Sequence, residues 1–400
     1  KMDITLKLLL YTAILGFILG FIVNKTNFCT MGAVSDWVNI GDLNRFKAWM
    51  LATAIAVLGV SILEFIDIIN LDASRPPYRD SVFFWPRYLI GGLMFGVGMT
   101  LTSGCGNKTL IRLGGGNLKS FVVLLVAGSM AYLMTRTDFY GLIFHSWMSP
   151  ISPDLAKIGI ADQSLAAIFS AFLIFENLEI FSFSLGIIIS LAIFIFIIKA
   201  GDFFNNLNNL LAGLTVGITV VLAWFLTGGD LGKEWIESVE FMDNPLPGVG
   251  VQSLTFINPM GETLIFASNG ADLYYLTFGV TILLAVIIGS FTYAIISNNF
   301  RFEWFVSLQD FLRHIFGGVL IGIGGVLSLG CTIGQGVSGV STLALGSFLA
   351  LASIILGAAI TMKIEYYSTV YEDHTFLDYF KSSLADLKII PDKYRTLEKI

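Results

Sequence analysis

The chain has 400 residues, of which 55% are hydrophobic and only 13% are charged, and its formal net charge is −6. Soluble proteins carry about 25% charged residues, so this composition excludes an ordinary soluble domain and indicates an integral membrane protein. The acidic balance, without a basic face, argues against nucleic acid as a partner. At roughly 20 residues per span, there is room for about nine to twelve membrane elements.

Residues 6–23 form the first predicted span, and residues 48–65, 121–134 and 181–198 form further spans of the first half. Residues 24–37, NKTNFCTMGAVSDW, are too polar to span. We expect either a short re-entrant helix there, with Cys29 at its mouth and Asn27 or Thr30 as its N-cap, or an interfacial loop whose cysteine only packs. The segment 75–79 holds two prolines and two arginines and is predicted to be an exposed connection. The weaker segments 140–147 and 164–175 are predicted to be partial or interfacial.

An internal duplication organises the chain. The stretch GGLMFGVGMTLTSGC from Gly91 aligns without a gap with GGVLIGIGGVLSLGC from Gly317, so that Cys105 falls on Cys331 and Gly104 on Gly330. In both copies an apolar, glycine-rich segment stops at Gly-Cys and continues as a small, polar segment. Such a break exposes backbone polar groups, which a membrane tolerates only where protein or a polar cavity satisfies them. A polar cargo is therefore expected there.

Residues 210–226, 274–296 and 343–362 are the other predicted spans of the second half. The charged segment 230–253 is expected to be a water-exposed loop. Residues 258–268 occupy the position of the Cys29 segment but lack its cysteine, and Glu262 within them is either exposed or an intramembrane acid. We predict two pseudo-symmetric halves, 1–200 and 201–363, followed by a polar extramembrane tail, 364–400.

Three cations follow the first duplicated cysteine. Arg112 and Lys119 are interpreted as membrane anchors that obey the positive-inside tendency. Lys108 lies only three residues beyond Cys105, on the same face if the segment is helical, and is the better candidate for attracting an anion.

The duplicated Gly-Cys copies, the NFCTMGAVSD segment and the GCGNKTLIRLGGGNLKS run resemble the YeeE/YedE family of sulfur-compound transporters, in particular its thiosulfate-uptake members. The resemblance covers most of residues 1–360. It implies a multi-pass protein of the bacterial inner membrane that is not an enzyme, needs no cofactor or metal, and imports thiosulfate or a similar sulfur anion through a path lined by Cys29, Cys105 and Cys331. The family often works beside a small cytoplasmic sulfur-carrier protein, which is a possible partner.

The chemistry of such a path can be stated for this chain. Short helices after Cys105 and Cys331 would point their N-terminal N–H groups at the anion. Neutral thiols would donate weak hydrogen bonds to it, whereas thiolates would repel it. The predicted path residues are Cys29, Gly104, Cys105, Asn107, Lys108, Gly330, Cys331 and Thr332.

Two other classes of protein stay open on the residues alone. A transporter of a soft metal such as Cu(I) would also use cysteines, as thiolates, but normally with methionine or histidine nearby. A membrane thiol oxidoreductase would need two cysteines within disulfide distance. Free cysteine is also often buried for packing alone.

Overall fold

The structure is a computed structural model, which describes residues 3–173, 177–199, 203–240, 242–371 and 373–398. Its α-helices are α1 (Ile4–Thr26), α2 (Thr30–Ile40), α3 (Asn44–Phe65), α4 (Trp85–Leu101), α5 (Gly106–Gly114), α6 (Leu118–Arg136), α7 (Ser146–Met148), α8 (Leu165–Leu173), α9 (Leu178–Lys199), α10 (Leu207–Gly228), α11 (Asp230–Glu240), α12 (Ile257–Ser268), α13 (Phe278–Ile296), α14 (Leu308–Leu327), α15 (Leu345–Val370) and α16 (Phe376–Asp386). Two short strands, β1 (Ser74–Arg75) and β2 (Val251–Gln252), pair in parallel.

Among the described residues, nine helical segments are long and apolar enough to cross a membrane. They contain α1, α3, α4, α6, α9, α10, α13, α14 and α15. The prediction of an all-α integral membrane protein with about nine spans is therefore confirmed. Helices α2, α5 and α12 have 11, 9 and 12 residues. At 1.5 Å per residue they are too short to cross a bilayer of about 30 Å.

A short helix follows the first span, as predicted, but its cap differs from the prediction. The chain leaves α1 through Asn27, whose φ of 53° lies in the left-handed region. Cys29, and neither Asn27 nor Thr30, is the N-cap of α2. Its sulfur accepts a hydrogen bond from the backbone N–H of Gly32 at 3.4 Å, so a thiol takes the position that a hydroxyl or amide usually holds.

Helices α4 and α14 meet through glycines of the duplicated segments. A Cβ atom added to Gly98 would lie 2.7 Å from the carbonyl oxygen of Gly317, and one added to Gly324 would lie 2.7 Å from that of Gly91. Because the start of each helix faces the end of the other, the two helices are antiparallel. Small residues at such contacts let membrane helices approach to backbone distance.

Corresponding helices of the two halves pack in corresponding ways. Helix α1 packs on α13 as α10 packs on α3, and α4 packs on α15 as α14 packs on α6. Since the equivalent helices α4 and α14 are antiparallel, this arrangement is that of an inverted repeat. The predicted boundary between 200 and 201 lies outside the described residues, so the division into halves at that point stays a prediction.

The two copies differ after their cysteines. From Cys331 to Ala344, the N-cap of α15, there are 13 positions, against 12 from Cys105 to Asn117, the N-cap of α6. The second copy contains a π-helix, Gly334–Gly339, within the helical segment 332–341. A π-helix takes up one extra residue, and such insertions are frequent at functional sites. We call α5 the first half-helix and segment 332–341 the second half-helix.

The prediction of a water-exposed loop at 230–253 was wrong for residues 230–240, whereas residues 242–250 form neither helix nor strand. Residues Asp230–Glu240 form α11, in which Trp235 and Val239 are buried four residues apart while Glu234 and Glu237 are exposed. The charges belong to the outer face of an amphipathic helix that packs on α1 and α10.

The connection 75–79 is also less exposed than expected. Tyr78 is buried, and its hydroxyl donates to the carbonyl oxygen of Gly334 at 2.8 Å. The Arg79 guanidinium is buried against Glu64, with Nη2 2.9 Å from Oε2. Burial raises the pKa of the Tyr78 phenol above its ordinary value. The two prolines stop the helix as predicted, but the side chains that follow them cover the second half-helix.

The end of the chain is more ordered than the predicted polar tail. Helix α15 continues to Val370, and α16 folds back along it. The Tyr367 hydroxyl donates to the Asp386 carboxylate at 3.0 Å, and Lys363 lies 3.6 Å from the same carboxylate. The last span therefore extends beyond residue 362. The extramembrane position of residues 364–400 stays a prediction.

The helix directions define two faces of the molecule. We call the face with the start of α1 and of α4 the N-face, and the face with the end of α15 and of α5 the C-face. Basic residues of the described part concentrate on the C-face, where they are Lys25, Arg45, Lys47, Lys108, Arg112, Lys119, Lys199, Arg301, Arg313, Lys363, Lys381, Lys388, Lys393 and Arg395. The N-face has Lys7, Arg75, Arg79, Arg87, Arg136, Lys157 and Lys233.

This asymmetry predicts the orientation, since basic residues favour the cytoplasmic side. We expect a green fluorescent protein fused to the C-terminus to fluoresce in bacteria, because the C-face is cytoplasmic. Alkaline phosphatase inserted into the N-face connection 269–277 should be active, and the same enzyme fused at the C-terminus should be inactive. The opposite pattern would reverse the assignment of the faces.

The glycine contact between α4 and α14 predicts a stability effect. Gly98→Ala should destabilise the protein by about 1–3 kcal/mol, because the new Cβ meets backbone that cannot move aside cheaply. Gly141→Ala is the control, since a Cβ there meets nothing within 4 Å. Thermal unfolding of the detergent-solubilised variants, followed by size-exclusion chromatography, would measure both. Equal melting temperatures for the two variants would contradict the contact.

Candidate functional site

The two half-helices begin at cysteines, and their starting points touch. Cys105 is the N-cap of α5, and Cys331 directly precedes the second half-helix. A Cβ atom on Gly106 would lie 3.7 Å from the Cβ of Cys331. Cys105 and Cys331 are 1% and 0% exposed. The N–H-rich ends of two short helices, each with a partial positive charge, therefore meet inside the protein.

Cys29 joins this pair from the third short helix. Its thiol lies close to the Cys105 thiol, which in turn lies close to the hydroxyl of Thr332. Cys29 is 7% exposed. The structure thus brings the predicted residues Cys29, Cys105, Cys331 and Thr332 together in one row.

A second likeness links two of the cysteines, and it was missed in the sequence. The run Cys29-Thr30-Met31-Gly32 corresponds to Cys331-Thr332-Ile333-Gly334. In both, the sulfur accepts a hydrogen bond at 3.4 Å from the backbone N–H three residues further on. The C-T-x-G spacing was the available signal, but the strong glycine alignment of Cys105 with Cys331 obscured it.

Both turns before the duplicated cysteines are built alike. Ser103 and Leu329 have φ angles of 55° and 62°, in the left-handed region. The carbonyl oxygen of Gly104 accepts from the Thr102 hydroxyl at 3.0 Å, and that of Gly330 accepts from the Ser328 hydroxyl at 3.0 Å. The predicted path residues Gly104 and Gly330 therefore shape the breaks in the chain, and each places its cysteine at a half-helix start.

Three buried polar side chains near the cysteines lack partners. Thr30 Oγ1, Asn107 Oδ1 and Thr332 Oγ1 have no hydrogen-bonding oxygen or nitrogen among the described residues. All three residues are at most 2% exposed. Each follows one of the three cysteines by one or two positions. Buried polar groups of this kind are rare in folded proteins, and each calls for a ligand, a water or another role.

A cavity of about 900 Å³ opens on the N-face and reaches Gly330, the neighbour of Cys331. Three arginines line it, Arg75, Arg87 and Arg136, together with the carboxylates of Glu240 and Glu262. Glu262 is partly buried, and its Oε2 accepts from the Thr277 hydroxyl at 2.6 Å. This residue is therefore neither fully exposed nor enclosed, since it lines the cavity wall.

Cationic side chains surround Cys29 on the C-face. Lys108 Nζ donates to the side-chain oxygen of Asn27, and Arg45 forms an ion pair with Asp36. Arg112 donates to the backbone oxygen of Ser103 at 2.9 Å. Lys119 pairs instead with Asp310 at 2.7 Å, away from this group. We call Asn27, Arg45, Lys108 and Arg112, with Asp36, the C-face mouth.

Of the mouth residues, only Lys108 was assigned to the path from the sequence. The sequence suggested only a helix cap for Asn27 and no role for Arg45. Lys108 of α5 contacts Asn27 between α1 and α2, and Arg45 of α3 contacts Asp36 of α2. Such contacts between separate elements are not visible in the sequence. Within the described ranges, no group of three or more His, Cys, Asp or Glu side chains could hold a metal ion.

A bundle of spans that encloses a buried polar row, with a cavity on one face and a cationic mouth on the other, defines a membrane transport protein. The chain belongs to the sulphur transport family, whose model matches residues 25–360. It is a multi-pass protein of the bacterial inner membrane and a transporter, not an enzyme.

Two relatives cover nearly the whole chain. The thiosulfate transporter TsuA of Escherichia coli (strain K12) is 25% identical over an alignment of 369 residues that covers 88% of this chain and 93% of the relative. The thiosulfate transporter TsuA of Spirochaeta thermophila is 24% identical over 353 residues, 87% of this chain and 97% of the relative.

Proposed function

We propose that this protein imports thiosulfate, or a closely related inorganic sulfur dianion, along the row of Cys331, Cys105 and Cys29. The observation that carries the proposal is the pair of buried hydroxyl groups, of Thr30 beside Cys29 and of Thr332 beside Cys331, that have no oxygen or nitrogen partner among the described residues. A passing anion would accept the hydrogen bonds that these two hydroxyl groups can donate, whereas the unpartnered oxygen of Asn107 is an acceptor. Thiosulfate is proposed as the transported anion because both relatives are named thiosulfate transporters.

The route begins in the N-face cavity. Arg75, Arg87 and Arg136 raise the local concentration of anions, because low-dielectric walls focus the field of the cations that line a cleft. The cavity ends at Gly330, beside Cys331. From there the anion meets the positive ends of the two half-helices, which favour it without a buried side-chain cation.

Neutral thiols suit the next step. A thiol is a weak S–H donor and a soft neighbour for the terminal sulfur of thiosulfate, whereas a thiolate would repel a dianion. Cys105, between the Cys29 thiol and the Thr332 hydroxyl, can pass the anion from one half-helix to the other. Weak donors at successive positions allow release as well as entry, which conduction requires.

The row is closed in this conformation. All three cysteines are buried, and Ile257, at the start of α12, is buried against Gly106 of the first half-helix and Gly325 of α14. Passage therefore needs a local movement that opens one mouth at a time. A small cytoplasmic sulfur-carrier protein that receives the anion at the C-face stays a prediction.

The thiol row predicts that Cys105→Ala abolishes uptake. In sulfur-starved bacteria without importers of their own, labelled thiosulfate should accumulate with the unaltered protein and fall to background with Cys105→Ala at equal membrane abundance. Thr332→Val should lower uptake about tenfold or more, since a hydrogen bond to a charged group contributes about 1.5–3 kcal/mol.

Thr361→Val is the matched control for Thr332→Val. Its hydroxyl is buried in α15 and bonds to the carbonyl oxygen of Gly357 at 2.7 Å. Uptake should be unchanged in this variant. If the unaltered protein is abundant in the membrane but takes up no thiosulfate, the thiosulfate assignment is wrong. If Cys105→Ala takes up as much thiosulfate as the unaltered protein, the anion does not pass along the row of cysteines.

A further inference from the structure

The ion pair between Arg45 and Asp36 lies against the backbone of the Cys29 helix. Asp36 is in α2 and Arg45 is in the first turn of α3. Arg45 binds the carboxylate through two nitrogens, with Nη2 2.6 Å from Oδ1 and Nε on Oδ2. This is the two-pronged geometry that arginine forms with carboxylates and with other planar or tetrahedral oxyanions.

The third guanidinium nitrogen faces the thiol end of α2. A Cβ atom added to Gly32 would overlap Nη1 of Arg45, so the guanidinium rests directly on this glycine. The N–H of Gly32 donates to the Cys29 sulfur. The charge of Arg45 is therefore within one helical turn of Cys29, while Nη1 is left over from the pair with Asp36.

The charges of the C-face mouth fit a dianion. Arg45, Lys108 and Arg112 are cationic, and Asp36 is the one carboxylate that we assign to this group. Lys108 is held by a neutral partner, Asn27, and Arg112 by a backbone oxygen. The hydroxyl of Thr30, in the first turn of α2, is 2% exposed and has no partner among the described residues. The mouth thus holds uncompensated positive charge and an unsatisfied donor.

We infer that the mouth is an exit site for the anion, in which Arg45 is a cargo ligand and Asp36 is a resident anion that competes for it. This inference rests on the proposed function. An anion that leaves Cys29 first meets Nη1, then draws the guanidinium away from Asp36. When Arg45 returns to Asp36, the cargo loses its ligand and is released.

Arg45 avoids two unfavourable states when it exchanges the Asp36 carboxylate for the cargo anion and back. An arginine without a partner in this partly buried position would be unfavourable before the cargo arrives. An arginine without a competitor would hold a dianion tightly and slow its departure. Arg45 is 36% exposed and Asp36 is 13% exposed, so the guanidinium can follow the cargo toward water while the carboxylate stays in place.

The test uses the full-length protein in proteoliposomes with labelled thiosulfate. We expect Asp36→Asn to lower both KM and Vmax about tenfold, because the cargo binds more tightly and leaves more slowly. Arg45→Gln should raise KM about tenfold. Arg45→Lys, which keeps the charge but loses the two-pronged geometry, should fall between Arg45→Gln and the unaltered protein.

Asp310→Asn is the matched control, because it also removes the partner of a cation, Lys119, on the same face. It should leave KM unchanged. If Asp36 had only a structural role, Asp36→Asn would lower the amount of folded protein or Vmax and would leave KM unchanged. An unchanged KM in Asp36→Asn, with active unaltered protein, would overturn the exit site.

Binding of thiosulfate can be measured in detergent for variants that cannot be reconstituted into liposomes. Thiosulfate should raise the melting temperature of detergent-solubilised Asp36→Asn more than that of the unaltered protein, and should raise that of Arg45→Gln less. Equal shifts in all three proteins would overturn the exit site. Absence of transport by the unaltered protein would overturn the proposed function, and with it the inference that rests on it.

Discussion

The structure depends on one constraint, the fate of backbone polar groups where a membrane helix is broken. The chain breaks at Gly104-Cys105 and again at Gly330-Cys331, and each break leaves the N–H groups of a half-helix start inside the protein. Carbonyl oxygens at the turns are satisfied by Thr102 and Ser328. At both breaks the partial positive charge of a half-helix start therefore lies beside buried thiols and hydroxyls, surroundings that would suit a soft dianion under the proposed function.

Other features follow from holding the two breaks together. Glycines on α4 and α14 allow backbone contact, which aligns the two cysteine turns from opposite directions. Tyr78 reaches over from a connection to hold the carbonyl oxygen of Gly334 in the second half-helix. A dianion that enters against a negative-inside potential meets a cost of about 4.6 kcal/mol per 100 mV. Deep binding sites along the row would in addition slow the release of the anion, which is consistent with weak donors in the centre and charges only at the two ends.

Much of the fold could be predicted from the sequence, but the site could be predicted only in part. The duplicated glycine frame predicted that Cys105 and Cys331 occupy equivalent places, and the long apolar runs predicted the spans. Residues 230–240 were predicted to be part of a loop because their many charges conceal a helical pattern, which Trp235 and Val239 reveal once the buried face is known. Arg45 and Asn27 could not be assigned, because the partners that give them a role, Asp36 and Lys108, meet them only through the packing of separate elements.

The central claim is that the anion passes between the cysteines at the start of the half-helices. The most direct test is an experimental structure of the protein with a selenium analogue of thiosulfate, in which the anomalous signal of selenium marks the soft end of the anion. The account predicts a signal in contact with Cys105 and the hydroxyl of Thr332, which is lost in Thr332→Val. A signal confined to the N-face cavity of a protein that transports the analogue, with none along the cysteine row, would contradict it.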